Sequence, residues 1–226
     1  MRDTGQLEKA LGYTFQDSEL CNLALTHRSA AGQNNERLEF LGDSILNHII
    51  AESLFRRFPQ TDEGRLSRMR AMLVKGETLA DLGLALELGD YIRLGAGERK
   101  SGGHRRRSIL ADTVEALLGA ILLDSDVEKC RQVVLSLYSE LLEGIDLDAA
   151  KKDAKTQLQE YVQARNNPLP AYRLLKEEGE EHARQFMVEC VLQKPALREQ
   201  GSGSSRRKAE QLAAQAVLNQ LKKNSG

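Results

Sequence analysis

Asn35-Glu36-Arg37-Leu38-Glu39-Phe40-Leu41-Gly42-Asp43-Ser44 decides how this chain is read, because it sets three carboxylates along one edge of a single helix. At about 100° per residue, Glu36, Glu39 and Asp43 fall within a sector of roughly 60°. On the same wheel Leu38, Leu41, Ile45, Leu46 and Ile49 form a continuous apolar stripe, and the acidic edge borders it. The three carboxylates are therefore expected to be half buried. Like charges in that position repel one another and cost desolvation energy, so either a cation sits among them or their pKa values rise.

A second stretch, Ser108 to Leu123, is apolar or small almost all the way round and belongs inside the fold. Its only charges are Asp112 and Glu115, three residues apart on one face, with Gly119 a turn further on where a missing side chain lets a neighbouring helix approach. Two carboxylates on a buried helix need a partner. Either arginines neutralise them, or they meet the first acidic helix around a hard divalent cation, for which Mg²⁺ with oxygen ligands and retained waters is the natural candidate. The first helix alone would equally suit a solvated acidic edge near a positive helix terminus. The two helices together disfavour that reading.

The chain has 226 residues, 41% of them hydrophobic, enough for one large or two modest domains with real cores. No charged-then-apolar leader opens it, and the apolar run near Leu117 to Leu123 is too short to span a bilayer, so a cytoplasmic protein with no membrane contact is expected. Cys21, Cys130 and Cys190 are widely separated and lack Cys-x-x-Cys spacing, which argues against a disulfide framework or a zinc site. They are expected to be reduced, part-buried core residues.

The formal net charge of −1 hides an asymmetry. Residues 151–226 hold 14 Lys+Arg against 9 Asp+Glu, net +5, leaving 18 against 24, net −6, for residues 1–150. The break falls where apolar periodicity lapses, so we expect an acidic domain over 1–143, a linker over 144–152 and a basic domain over 153–223. The first domain shows repeated helical spacing and almost no strand alternation, which predicts an all-α domain. Within it, Lys100-Ser101-Gly102-Gly103-His104-Arg105-Arg106-Arg107 reads as a flexible cationic loop, suited either to contacting phosphates or to offsetting nearby acids. His27 and His104 have no necessary part in an oxygen-ligated Mg²⁺ site.

The C-terminal pattern is α-β-β-β-α. A helix over 156–164 should turn Leu158, Tyr161 and Val162 inward and Thr156, Gln159, Glu160 and Gln163 outward. Strands are expected at 171–176, at 185–192 with Phe186, Val188, Cys190 and Leu192 on one side, and before Gly201. A last helix over 205–221 should bury Ala209, Leu212, Ala213, Ala216 and Val217, with both helices on one face of the sheet. At its start, Gly201-Ser202-Gly203-Ser204-Ser205-Arg206-Arg207-Lys208 gathers free N–H groups, the positive dipole end and three cations, which together make an anion trap.

These motifs carry a family resemblance. Asn35 to Ser44, Ser108-Ile-Leu-Ala-Asp112-Thr-Val-Glu115-Ala-Leu and Leu25-Thr26-His27-Arg28-Ser29 resemble the nuclease domain of bacterial ribonuclease III, and the likeness runs over nearly the whole chain. The resemblance implies that Glu39, Asp43, Asp112 and Glu115 hold a catalytic Mg²⁺, with Mn²⁺ as a substitute, that Asp43 and Glu115 are the catalytic pair among them, and that Glu36 and Glu63 are further acids of the cleavage valley. The C-terminal order with Gly-x-Gly-x-Ser-Arg-Arg-x-Ala-Glu resembles the double-stranded RNA-binding domain. It implies that Gln159, Glu160 and His182 touch 2′-hydroxyls in two minor grooves and that Arg206, Arg207 and Lys208 clamp phosphates between them. Ala154 departs from the proline or aromatic residue common there. The expected protein is thus an all-α endonuclease domain followed by a small α+β double-stranded RNA-binding domain. Its implied activity is metal-dependent hydrolysis of duplex RNA to 5′-phosphate and 3′-hydroxyl ends, by a symmetric homodimer, in processing ribosomal RNA precursors and other structured transcripts. The alternatives are a catalytically silent duplex-RNA binder, which the loss of any one of the four ligands would have favoured, and a small-ester hydrolase, which leaves the basic module unexplained.

Overall fold

The computed structural model describes residues 3–145, 153–179 and 184–223. The chain forms two compact units, Met1–Ala150 and Lys151–Gly226.

The first unit contains α1 (Thr4–Leu11), α2 (Ser18–Ala24), α3 (Glu36–Arg57), α4 (Glu63–Leu73), α5 (Gly76–Ala85), α6 (Ala96–Lys100), α7 (Arg107–Asp124), α8 (Val127–Leu137) and α9 (Ser139–Glu143). Aspartates punctuate it: the side chains of Asp3, Asp17, Asp62 and Asp126 each accept a backbone N–H at the start of a helix. Buried residues of α7, including Ile109, Leu110, Val114, Leu117 and Ile121, lie at the centre of one core that also holds Leu38, Leu46 and Ile49 of α3. The two helices meet backbone to backbone. A Cβ on Gly42 would lie 1.7 Å from the Glu115 carbonyl oxygen, and one on Gly119 would lie 2.2 Å from that of Leu38. The expected approach at Gly119 is therefore present, and Gly42 supplies its other half.

Three expectations need correction here. Of the acidic edge only Glu39 is partly buried; Glu36 and Asp43 are exposed, because α3 turns Leu38, Gly42 and Leu46 toward α7 and swings its first-turn edge outward. Phe40 lies beyond that edge with 76% of its surface exposed. The cationic segment is built from turns and not from loose loop: α6 runs to Lys100, and a 3₁₀ turn spans Gly103–Arg105. Arg106 pairs with Glu98 at 2.9 Å and Arg107 with Asp81 at 2.6 Å, so two of its cations are already engaged. The three cysteines are free, and fully buried where part burial was expected.

The second unit contains α10 (Ala154–Gln163), β1 (Ala171–Glu178), β2 (Gln185–Leu192), β3 (Leu197–Gly203) and α11 (Arg206–Lys223). The strands form one antiparallel sheet in the order β1-β2-β3, pairing Tyr172 with Cys190 and Val188 with Gly201. Leu158 and Val162 of α10, Cys190 and Leu192 of β2, and Ala213, Val217 and Leu221 of α11 make a second core, which puts both helices on one face as the alternation predicted. Leu212 was expected inside and is 46% exposed. The reason is the closeness of β3: a Cβ on Gly201 would lie 2.2 Å from the Ala213 nitrogen and 2.5 Å from the Ala209 oxygen. Alanines fit that seam, no leucine side chain does, and Ala214 and Leu218 fill the inward positions instead.

Candidate functional site

α3 and α7 cross where their glycines let the backbones touch, and this crossing sets their carboxylates face to face. Glu39 from α3 and Asp112 and Glu115 from α7 each offer an oxygen within 4.8 Å of the others. They line an open cleft of about 970 Å³, together with Glu36, Asp43, His27 and Arg28. Among the described residues none of the three has an ion-pair partner. Burial and the charges of Asp43, Glu39 and Asp112 push the Glu115 carboxyl up to about 8. Burial followed by Asp112 raises Glu39, and burial raises Asp112 against the opposing pull of His27 and Arg28. Partly buried, mutually repelling carboxylates that must shed a proton to ionise are a donor set for a hard cation.

Asp43 lines the same cleft but does not join the close trio. Its carboxylate oxygen Oδ1 accepts from Asn47 Nδ2 at 2.8 Å. Glu36 stands at the rim, 3.5 Å from the Arg28 guanidinium. Glu63 is elsewhere. It opens α4, accepts from Ser67 Oγ at 2.6 Å, and lines a separate groove with His48 and Phe55, so one chain does not bring it to the cleft. Arg28 is a cleft residue that spacing alone did not mark, and His27, given no necessary part in a Mg²⁺ site from the sequence, lines the same cleft; both sit in the Leu25–Ser29 stretch of the resemblance. The His27 ring is held by the Ser29 backbone N–H at 3.1 Å and the Ser29 hydroxyl at 2.8 Å.

In the second unit Gln159 and Glu160 lie on the exposed face of α10. His182 falls outside the described residues. Arg206, Arg207 and Lys208 are exposed at the start of α11, whose first turn rests on the backbone of β3 at Gly203. The trap is less open than expected. Ser205 Oγ accepts the Lys208 N–H at 3.2 Å, and Arg206 pairs with Glu210 at 3.1 Å. Glu210 also receives Lys155 Nζ at 2.6 Å, which ties α10 to α11.

Comparison with known proteins follows the same division. Residues 17–142 match a family model described as Ribonuclease-III-like, and residues 154–221 match one described as a double-stranded RNA binding motif. Fold and site thus define a nuclease unit carried in one chain with a duplex-RNA-binding unit. "Ribonuclease 3" of Vibrio atlanticus is 57% identical over 219 residues, covering 96% of each chain, and that of Photobacterium profundum is 58% identical with the same coverage. Among solved structures, the nuclease domain of ribonuclease III from Campylobacter jejuni superposes with a TM-score of 0.61 at 41% identity, covering 65% of this chain and all of that one. The chain belongs to the ribonuclease III family of endoribonucleases. Among the described residues no helix is long and apolar enough to cross a membrane.

Proposed function

We propose that the protein hydrolyses phosphodiester bonds of double-stranded RNA at the α3–α7 cleft, leaving 5′-phosphate and 3′-hydroxyl ends, with Mg²⁺ held by Glu39, Asp112, Glu115 and Asp43. The observation that carries this reading is the Glu39–Asp112–Glu115 trio: three carboxylates within 4.8 Å, with no ion-pair partner for any of them among the described residues. The residues fit the ion by their chemistry, since all are oxygen donors and the Glu115 carboxyl, raised to about 8, is the kind of group a bound cation would ionise. When bound, Mg²⁺ supplies a water activated for attack near neutral pH and offsets charge on the phosphate. The chain's own residues do the rest. The carboxylates fix the ion, Asp43 and Glu115 form the catalytic pair, and Arg28 faces the cleft as a cation able to meet a phosphate oxygen.

The domain division we assign is 1–143, 144–152 and 153–223, with Gln159, Glu160 and His182 on 2′-hydroxyls and Arg206, Arg207 and Lys208 on phosphates. Two strands call for two sites, and a symmetric homodimer supplies them. The Campylobacter jejuni nuclease domain, which has a region involved in dimer formation, supports that assembly. In a dimer, Glu36 and Glu63 would serve as further valley acids. The roles we assign are the processing of ribosomal RNA precursors and other structured transcripts in the cytoplasm. The test is direct: the purified protein should shorten long double-stranded RNA with Mg²⁺ or Mn²⁺ and leave it intact in EDTA. Equal cutting in both conditions would remove the metal from the account.

A further inference from the structure

We propose that Asn47 is a positioning residue for Asp43, fixing its carboxylate so that one oxygen remains directed to the cleft as a cation ligand. Asn47 lies one turn after Asp43 on α3 and is partly buried, whereas Asp43 itself is exposed. Asn47 Nδ2 donates to Asp43 Oδ1 at 2.8 Å and to the Asp43 backbone carbonyl at 3.0 Å. Both partners accept only, so the amide orientation is determined: the nitrogen must face them. One amide nitrogen therefore donates to two acceptors of one residue, tying the side chain of Asp43 to its own main chain. An exposed aspartate on a helix otherwise exchanges rotamers freely.

The tie matters because Asp43 is the carboxylate that stands apart. Glu39, Asp112 and Glu115 are held by partial burial, whereas Asp43 is exposed. A hydrogen bond to Oδ1 confines the carboxylate and, among the described residues, leaves Oδ2 without a hydrogen-bond partner, the arrangement in which an outer partner orients a ligating carboxylate. An ordinary surface bond between residues four apart would slightly favour the helix and leave cation affinity alone. The two roles therefore differ in what they predict.

This inference rests on the metal-centre reading above, and its test separates the two. Free Mn²⁺ is measured by electron paramagnetic resonance during titration of the full chain without RNA, and the half-saturating Mg²⁺ is measured for cleavage of a long RNA duplex. Asn47→Ala and Asn47→Leu, both good helix formers, should weaken Mn²⁺ binding by about 10- to 100-fold. They should raise the half-saturating Mg²⁺ in parallel, while the rate at saturating Mg²⁺ returns to within a few-fold of wild type. In an Asp43→Ala background, Asn47→Ala should change neither quantity. Wild-type Mn²⁺ affinity in both Asn47 variants would overturn the proposal, and so would a further loss in the Asp43→Ala background. If wild type and Glu115→Gln bound Mn²⁺ equally poorly, the metal-centre reading itself would fail.

Discussion

In the first unit Glu39, Asp112 and Glu115 are gathered at partly buried positions with no ion-pair partner among the described residues, whereas in the second Arg206, Arg207 and Lys208 stand exposed at the head of a helix, Arg206 alone of these three with an ion pair among the described residues. The same kind of interaction, a side-chain charge awaiting its opposite, is thus built in two ways. Crowding partly buried carboxylates in a cleft costs folding energy, and a compact cation placed among them offsets that cost. Exposed cations cost almost nothing, act additively, and weaken as salt rises. The first construction suits chemistry at one point, the second suits grip along a backbone.

The sharpest way to break this contrast is to remove one buried charge. Glu115→Gln keeps the shape of the side chain and discards its charge, so cleavage in Mg²⁺ should fall by more than about 100-fold, above the loss that even an outer-sphere partner causes. Duplex-RNA affinity, measured in EDTA by filter binding, should stay within a few-fold, because the cations we propose as the phosphate clamp, Arg206, Arg207 and Lys208, are in the other unit. Cutting at near wild-type rate would end the ligand assignment.

The buried site also depends on a backbone contact that the exposed one lacks. At Gly42 a Cβ would fall 1.7 Å from the Glu115 carbonyl oxygen, so Gly42→Ala must push α3 and α7 apart. Overpacking of this kind costs about 1–3 kcal/mol, occasionally more, and should show as a lowered urea midpoint with an unchanged m-value. Cleavage should fall further than stability explains, since the same movement separates Glu39 from Glu115. Full activity in a destabilised protein would show that the carboxylates tolerate a wider crossing.

Much of this was legible in the sequence, for a physical reason. Period-3.6 patterning places Glu39, Asp112 and Glu115 on faces that must be partly inside, and burial makes their coincidence informative. The alternation Phe186, Val188, Cys190, Leu192 placed β2 in the same way. What was missed depended on distances between elements. The outward swing of Glu36 and Asp43, the ion pairs that occupy Arg106 and Arg107, and the exposure of Leu212 follow from how closely helices and sheet approach. A helical wheel does not hold that information. Asn47 was missed for another reason: a polar residue four places from an aspartate is common on helix surfaces, and only the bonds to Asp43 distinguish it.

On the exposed side, changing Arg206, Arg207 and Lys208 to Ala should weaken binding to every RNA duplex about equally. It should also flatten the dependence of log affinity on log salt by roughly 0.7–0.9 per lost phosphate contact. The structure sharpens the count: Arg206 already neutralises Glu210 at 3.1 Å, so the slope should change by about two contacts and not three. Arg206→Ala alone should therefore move the slope less than Lys208→Ala. An unchanged slope in the triple variant would require another partner for this helix start.

The smallest effect tests the cost of the buried charges directly. Without metal, the Glu115 carboxyl is raised to about 8 from an ordinary 4.5, burial being the largest cause. Between those pH values the folded protein holds a proton that the unfolded chain has released. The folded state therefore binds more protons, and stability must fall as pH rises through that window. Glu39 and Asp112 are shifted in the same direction and add to the slope. The other titratable groups are common to wild type and Glu115→Gln, so the difference between the two isolates the carboxylate. In urea unfolding with EDTA at pH 5 and pH 8, Glu115→Gln should lose less stability over the interval than wild type, and at pH 8 it should be the more stable protein. Saturating Mg²⁺ should reverse that order, because ligation requires the ionised carboxylate and the variant no longer has one. Parallel pH profiles for the two proteins would mean that Glu115 pays no penalty for ionising in its cleft, and the contrast between a strained acidic site and a relaxed basic one would lose its main support.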